Sequence, residues 1–139
     1  MTKAILNPAV LAKPSGYAHG VTATGTLLFL AGQTGMDASG RITAPGDLVA
    51  QFRQALANIK VVLDEAGGQM NDVVKLTLFV TDKHAYHDQL KPIGAAYRDF
   101  FGRYYPAMTL VEVKSLFDDA ALIEIDGIAM LPGERPNGL

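Results

Sequence analysis

Glu124 and Asp126 lie two residues apart in the run ALIEIDGIAM, residues 121–130, and this pair of acids is where the chain is best placed to do chemistry. The run is rich in β-branched residues and alternates with a period of two, which predicts a strand. Ala121, Ile123, Ile125, Gly127 and Ala129 then share one face, and Leu122, Glu124, Asp126, Ile128 and Met130 share the other. A carboxylate among apolar neighbours costs free energy unless it is hydrogen-bonded, paired or at an edge. Held beside water, such a group can accept a proton. The bland alternative is an acid that bonds backbone amides at an edge, and for Glu112 and Asp126 a strand-face charge is the better assignment. Near the start, GYAHG supplies two further groups. Tyr17 carries a phenol that can donate, and His19 an imidazole suited to acid–base work or to a structural hydrogen bond.

Other polar clusters carry less. His84 and His87 stand three apart between Asp82 and Asp88, but a closed metal site takes about four ligands, so a solvated turn is expected and no metal. The glycine-rich loop over residues 32–46 lacks the G-K-S/T ending of a phosphate-binding loop.

These groups must be positioned by one ordinary domain, since 139 residues bury a continuous core but not two. A net charge of −2 with scattered Lys and Arg argues against a nucleic-acid partner. No apolar run approaches the roughly 20 residues that cross a bilayer, MTKAILNPAV lacks a signal-peptide core, and cysteine is absent. The expectation is a cytoplasmic protein with no membrane partner and no thiol chemistry. The domain is placed at residues 1–131, followed by a flexible proline- and glycine-rich tail at 132–139.

Residues 15–21 and 26–32 are expected to form a hairpin across Thr24-Gly25. Asp47 can cap a helix whose apolar positions run from Leu48 to Ala66 at three- and four-residue spacing, with Gln51, Arg53, Gln54, Asn58, Lys60 and Glu65 opposite. Gly67-Gly68 ends it. VVKLTLFVT, residues 73–81, is the clearest strand, and residues 82–88 read as a polar turn. A second helix over residues 90–104 has Pro92 in its first turn and a stripe of Leu90, Ile93, Tyr97, Phe100, Phe101 and Tyr104. Residues 109–115 form the next strand. Hairpin, helix, strand, helix and two strands make an α+β domain with a mixed sheet and both helices on one face. The bare sheet face is expected to meet copies of the same chain.

The segments GYAHG, LFLAGQTGMDASGRI, QFRQALANIKVVLDEAGGQMNDVVKLTLFV, YRDFF, YPAMTLVEV and LIEIDGIAM, in this order over residues 17–130, resemble the RidA family, formerly YjgF, of reactive enamine/imine deaminases. The resemblance implies a chorismate-mutase-like fold with a six-stranded mixed sheet and two helices. It also implies a homotrimer around a central barrel, a small-molecule ligand in each inter-subunit cleft, and no cofactor.

Residue by residue, it carries over Glu124 as the acid that positions water, and Tyr17, Ala31, Gly32 and Gln33 as cleft lining, with His19 where many members have glutamine. Thr109 follows as part of the P-A-R-S/T motif, here Pro106-Ala107-Met108-Thr109. Two departures matter. Gly94 stands where an asparagine is usual, and Met108 stands where deaminating members place an arginine that grips a carboxylate. A thioether has neither charge nor a fork of donors. The expected function is therefore a cofactor-independent enamine/imine hydrolase with a substrate other than 2-aminoacrylate-type imines, with Glu124, Tyr17 and His19 as catalytic groups. The alternative is a trimeric metabolite-binding protein that does not turn its ligand over.

Overall fold

In the computed structural model, which describes residues 3–133, the two most regular alternating runs of the sequence lie side by side at the middle of a sheet. These are β4 (Val73–Val80) and β6 (Ile123–Leu131), paired antiparallel with Thr77 opposite Asp126 and Phe79 opposite Glu124. β6 alternates buried and half-buried at every position, so Ile123, Ile125, Ala129 and Leu131 face the core. β3 (Thr26–Gln33) flanks β6 antiparallel, and β5 (Ala107–Glu112) flanks β4 in parallel. The sheet is therefore mixed, with order β3-β6-β4-β5.

A parallel pair needs a long crossover. The chain between β4 and β5 supplies it as two helices, α2 (Lys83–Asp88) and α3 (Leu90–Phe101). α3 packs beside α1 (Leu48–Glu65), and Phe52, Leu56, Ile59, Leu63, Ile93, Ala96 and Phe101 meet Leu76, Leu78, Ile123 and Ile125 in one core. Asp47 caps α1 as expected, its carboxylate accepting from the Ala50 amide at 3.0 Å. At the other end Gly67 takes φ 74°, and the Gly68 amide closes on the Leu63 carbonyl at 2.8 Å.

Several expectations are corrected. The six strands are present but divided, four in the main sheet and two in a separate ribbon of β1 (Lys3–Leu6) with β2 (Gly20–Ala23). The chain does turn at Gly25, yet β2 does not pair with β3. The segment before β2 is pinned to the β5 edge, opposite β3, by the Ala18 amide bonding the Pro106 carbonyl at 3.0 Å. The polar turn over 82–88 contains α2, capped by the Asp82 carboxylate on the His84 and Ala85 amides at 2.9 and 3.0 Å. The second helix stops at Phe101, because Gly102 adopts φ 63°. Tyr104, outside it, still packs inward and donates to the Val73 carbonyl at 2.5 Å. Of the tail placed at 132–139, Pro132 and Gly133 are exposed and the rest lies outside the described residues.

Gln51, which the periodicity assigns to the outer face of α1, is wholly buried. Its amide donates to the carbonyls of Ala44 and Ala120 at 3.0 and 3.1 Å and accepts from the Leu122 amide at 2.8 Å. One side chain thereby ties the start of α1 to the loop that delivers β6.

Candidate functional site

The sheet has two faces with different chemistry, and pairing assigns each site residue to one of them. Met108 is opposite Leu76, which is opposite Gly127, so Met108 points toward the helices. Glu124 is opposite Phe79, which is opposite Val111, so Glu124 points away from them.

On the helix side, the sheet, α1, α3 and the segment before β2 enclose a pocket of about 540 Å³. Tyr17, Gly94 and Met108 all line it, three of the residues singled out from the sequence. Its walls are largely apolar: Phe52, Leu76, Leu78, Leu90, Ile93 and Leu110, with Tyr86, Tyr97 and Tyr105 adding phenol rings. Tyr97 stacks on Tyr105 with ring centroids 4.9 Å apart and donates its hydroxyl to the Tyr104 carbonyl at 2.7 Å. Burial pushes the Tyr86 hydroxyl up to about 12 and holds Tyr97 higher still, with the neighbouring tyrosines adding to the effect. Arg98 also lines the pocket.

The opposite face carries Glu124. β3 slips register between Leu30 and Gln33, a bulge that brings Gly32 against Glu124. A β-carbon on Gly32 would lie 2.9 Å from the Glu124 Cδ and 3.1 Å from its Cγ, and would collide with the carboxylate oxygen. Glycine is thus what lets the acid lie flat on the strand. Ala31 is exposed beside it and Gln33 is half-buried. Asp126 shares this face, and Thr109 accepts from the Lys75 ammonium at 2.7 Å.

His19 belongs to neither group directly. Its ring nitrogen Nε2 is 2.7 Å from the Ala12 carbonyl, its amide bonds the Asn7 side chain at 2.9 Å, and its ring meets Tyr17 edge-on at 5.2 Å. These contacts hold the His19 ring against Tyr17. His84 and His87 are exposed on α2.

Within one copy of the chain, therefore, Tyr17, Gly94 and Met108 stand on one side of the sheet and Gly32, Thr109 and Glu124 on the other. A family model described as Endoribonuclease L-PSP matches residues 8–131. The chain belongs to this family, the RidA/YjgF proteins. A RutC family protein of Pyrococcus horikoshii is 39% identical over 118 residues, 84% of this chain and 89% of the relative. A protein of Escherichia coli K12 named 2-iminobutanoate/2-iminopropanoate deaminase is 34% identical over 134 residues, 94% of this chain and 98% of the relative. Among solved structures, a Rid-family protein of unknown function from Yersinia pestis matches with a TM-score of 0.83 and 34% identity, covering 94% of this chain and all of that one.

Reasoning from the RidA/YjgF motifs missed Tyr86 and Tyr105 as pocket residues and left Arg98 as one of four cations, with Lys75, Arg103 and Lys114, open to replace the missing arginine; of the four, Arg98 lines the pocket. The spacing held one usable signal. Arg98 follows Gly94 by four, so on any helix the two share a face.

Proposed function

We propose that this RidA/YjgF protein is a cofactor-independent hydrolase of small enamine or imine metabolites, differing in substrate from enzymes of 2-aminoacrylate-type imines. The observation that carries the proposal is the Glu124 carboxylate lying over Gly32 on an open sheet face, where only a residue without a β-carbon leaves it room. Water adds to the carbon of the C=N bond and gives its proton to Glu124. The adduct's nitrogen takes one proton from the general acid and a second back from Glu124, and ammonia leaves as the adduct hydroxyl returns its proton to the general acid, leaving a carbonyl. Tyr17, braced by His19, is the proposed donor.

Because Glu124 and Tyr17 stand on opposite faces, the proposal requires a second copy to bring one copy's Glu124 to another's Tyr17. Exposed Leu27 and Phe29 on the Glu124 face supply an apolar surface for that contact. A homotrimer with clefts between copies is the proposed assembly. Purified protein incubated with a panel of imines, neutral, aromatic and carboxylate-bearing, is expected to release ammonia above the buffer rate, and Glu124→Ala to abolish the excess. Identical rates for wild type and Glu124→Ala on every imine would end the proposal.

A binding protein without turnover is the second reading, favoured by the apolar wall around Met108 where deaminating members carry a cation. It predicts ligand-dependent thermal stabilisation with no product.

A further inference from the structure

With Met108 uncharged, the pocket's electrostatics depend on what else lines it. Among the described residues that do, Arg98 is the single charged side chain, and no carboxylate accompanies it. Its guanidinium folds back along α3 over Gly94. A β-carbon at Gly94 would lie 3.2 Å from one terminal nitrogen of Arg98, tighter than ordinary contact, so a larger side chain there would force the guanidinium aside. Among the described residues Arg98 makes no ion pair or side-chain hydrogen bond. Tyr86, half-buried, likewise has no hydrogen-bond partner for its hydroxyl among the described residues.

These observations describe a recognition site. A solvent-exposed fork of donors without a counter-ion and a phenol without an acceptor line the same hollow, with leucines, Phe52, Met108 and tyrosine rings as its walls. We infer that Arg98, given room by Gly94, is the anion receptor of this pocket, and that the ligand it selects is a monocarboxylate with an aromatic or branched apolar body. The carboxylate takes the guanidinium as a two-pronged ion pair, with Tyr86 as a further donor. The apolar body fills the space along Met108 and Leu76, where a volume of about 540 Å³ admits far more than a two- or three-carbon acid. Anion recognition has thus passed from β5 to α3. The inference builds on the proposed function in naming the class of molecule that would be turned over, but the binding itself does not depend on turnover.

Titration calorimetry with phenylacetate and its neutral isostere phenylacetamide tests it. Wild type should bind the acid about tenfold or more tightly than the amide, the worth of a charge-assisted hydrogen-bonded pair. Arg98→Gln should weaken the acid by a similar factor and leave the amide unchanged. Gly94→Asn, which keeps the arginine but crowds its position, should also weaken the acid selectively. Equal affinity of acid and amide for wild type, no binding of either, or undiminished acid binding in Arg98→Gln would each overturn the inference. Absence of turnover by a wild type that still discriminates acid from amide ends the hydrolase proposal alone, whereas Glu124-dependent turnover without that discrimination ends this one alone.

Discussion

The Glu124 carboxylate occupies the space that a side chain on Gly32 would take, with the Glu124 Cδ 2.9 Å from the would-be β-carbon. Gly32 does not adopt a positive φ, so alanine there meets no backbone strain. The obstructing atoms belong to the end of a flexible side chain on an open face and can swing away. Gly32→Ala should therefore cost less than about 1 kcal/mol of stability, in the range of surface substitutions, while ammonia release falls to the level of Glu124→Ala. A denaturation curve beside the assay separates the two effects, and a variant with full turnover would show that the seat of the acid is irrelevant.

Gln51 makes the opposite kind of contact. Its three hydrogen bonds satisfy two carbonyls and the Leu122 amide inside the protein, and Gly35 packs its bare α-carbon against the Gln51 backbone, leaving 2.8 Å between a β-carbon and the Gln51 Cα. Gln51→Ala should orphan all three groups and lower unfolding free energy by about 2–4 kcal/mol. Gln51→Glu retains the acceptor for Leu122 but loses both donors, so it should not rescue. Urea unfolding of both variants is the measurement, and a loss under half a kilocalorie, within the scatter of ordinary surface changes, would contradict the assigned bonds.

The contrast between these residues shows where sequence is legible. Strands β4 and β6 and helix α1 follow from local periodicity, and the Asp47 cap from a short-range preference, so all were readable. Gln51 was not, because a polar residue at the first turn of a helix looks the same whether it faces water or two distant loops. β1 and the pairing of β2 also escaped, since four residues carry no periodicity and the partner is chosen by Ala18 bonding at Pro106, far along the chain. For the site, motif matching found Tyr17, Gly94 and Met108, which share a pocket, and Glu124 with Gly32, which touch. That the two sets lie on opposite faces depends on the parallel register of β5 with β4, which only the fold supplies.

Alkaline pH should expose the buried phenols. Tyr86 and Tyr104 are held up to about 12 from an ordinary value of 10.0, burial being the leading cause for both. Between these values the unfolded chain has released protons that the folded chain keeps, so stability falls as pH rises. It should be fully present below pH 10 and lost progressively from 10 to 12. Tyr86→Phe, which removes one titrating group without removing a hydrogen bond seen among the described residues, should flatten that decline. Tyrosinate absorbance tracked against chemical denaturation from neutral to strongly alkaline pH gives both curves, and an unchanged slope in the variant would refute the assignment.

Assembly is the condition on which the proposed site depends, and Phe29 is the residue with which to break it. It is 71% exposed on the Glu124 face, opposite Ile128 and beside Leu27, and contributes little to the core of its own copy. Phe29→Glu should leave the single chain folded, because no buried contact is lost. It would also set a third carboxylate diagonally across from Asp126 on a face that already carries Glu124, so like charges would oppose docking of another copy. Sedimentation equilibrium should show a trimer for wild type and a smaller species for the variant, with the far-ultraviolet circular dichroism unchanged. Ammonia release should fall with the trimer, since no single copy presents Tyr17 and Glu124 to the same space. A wild-type monomer that still released ammonia in a Glu124-dependent way would mean that the two faces cooperate by some route other than contact between copies.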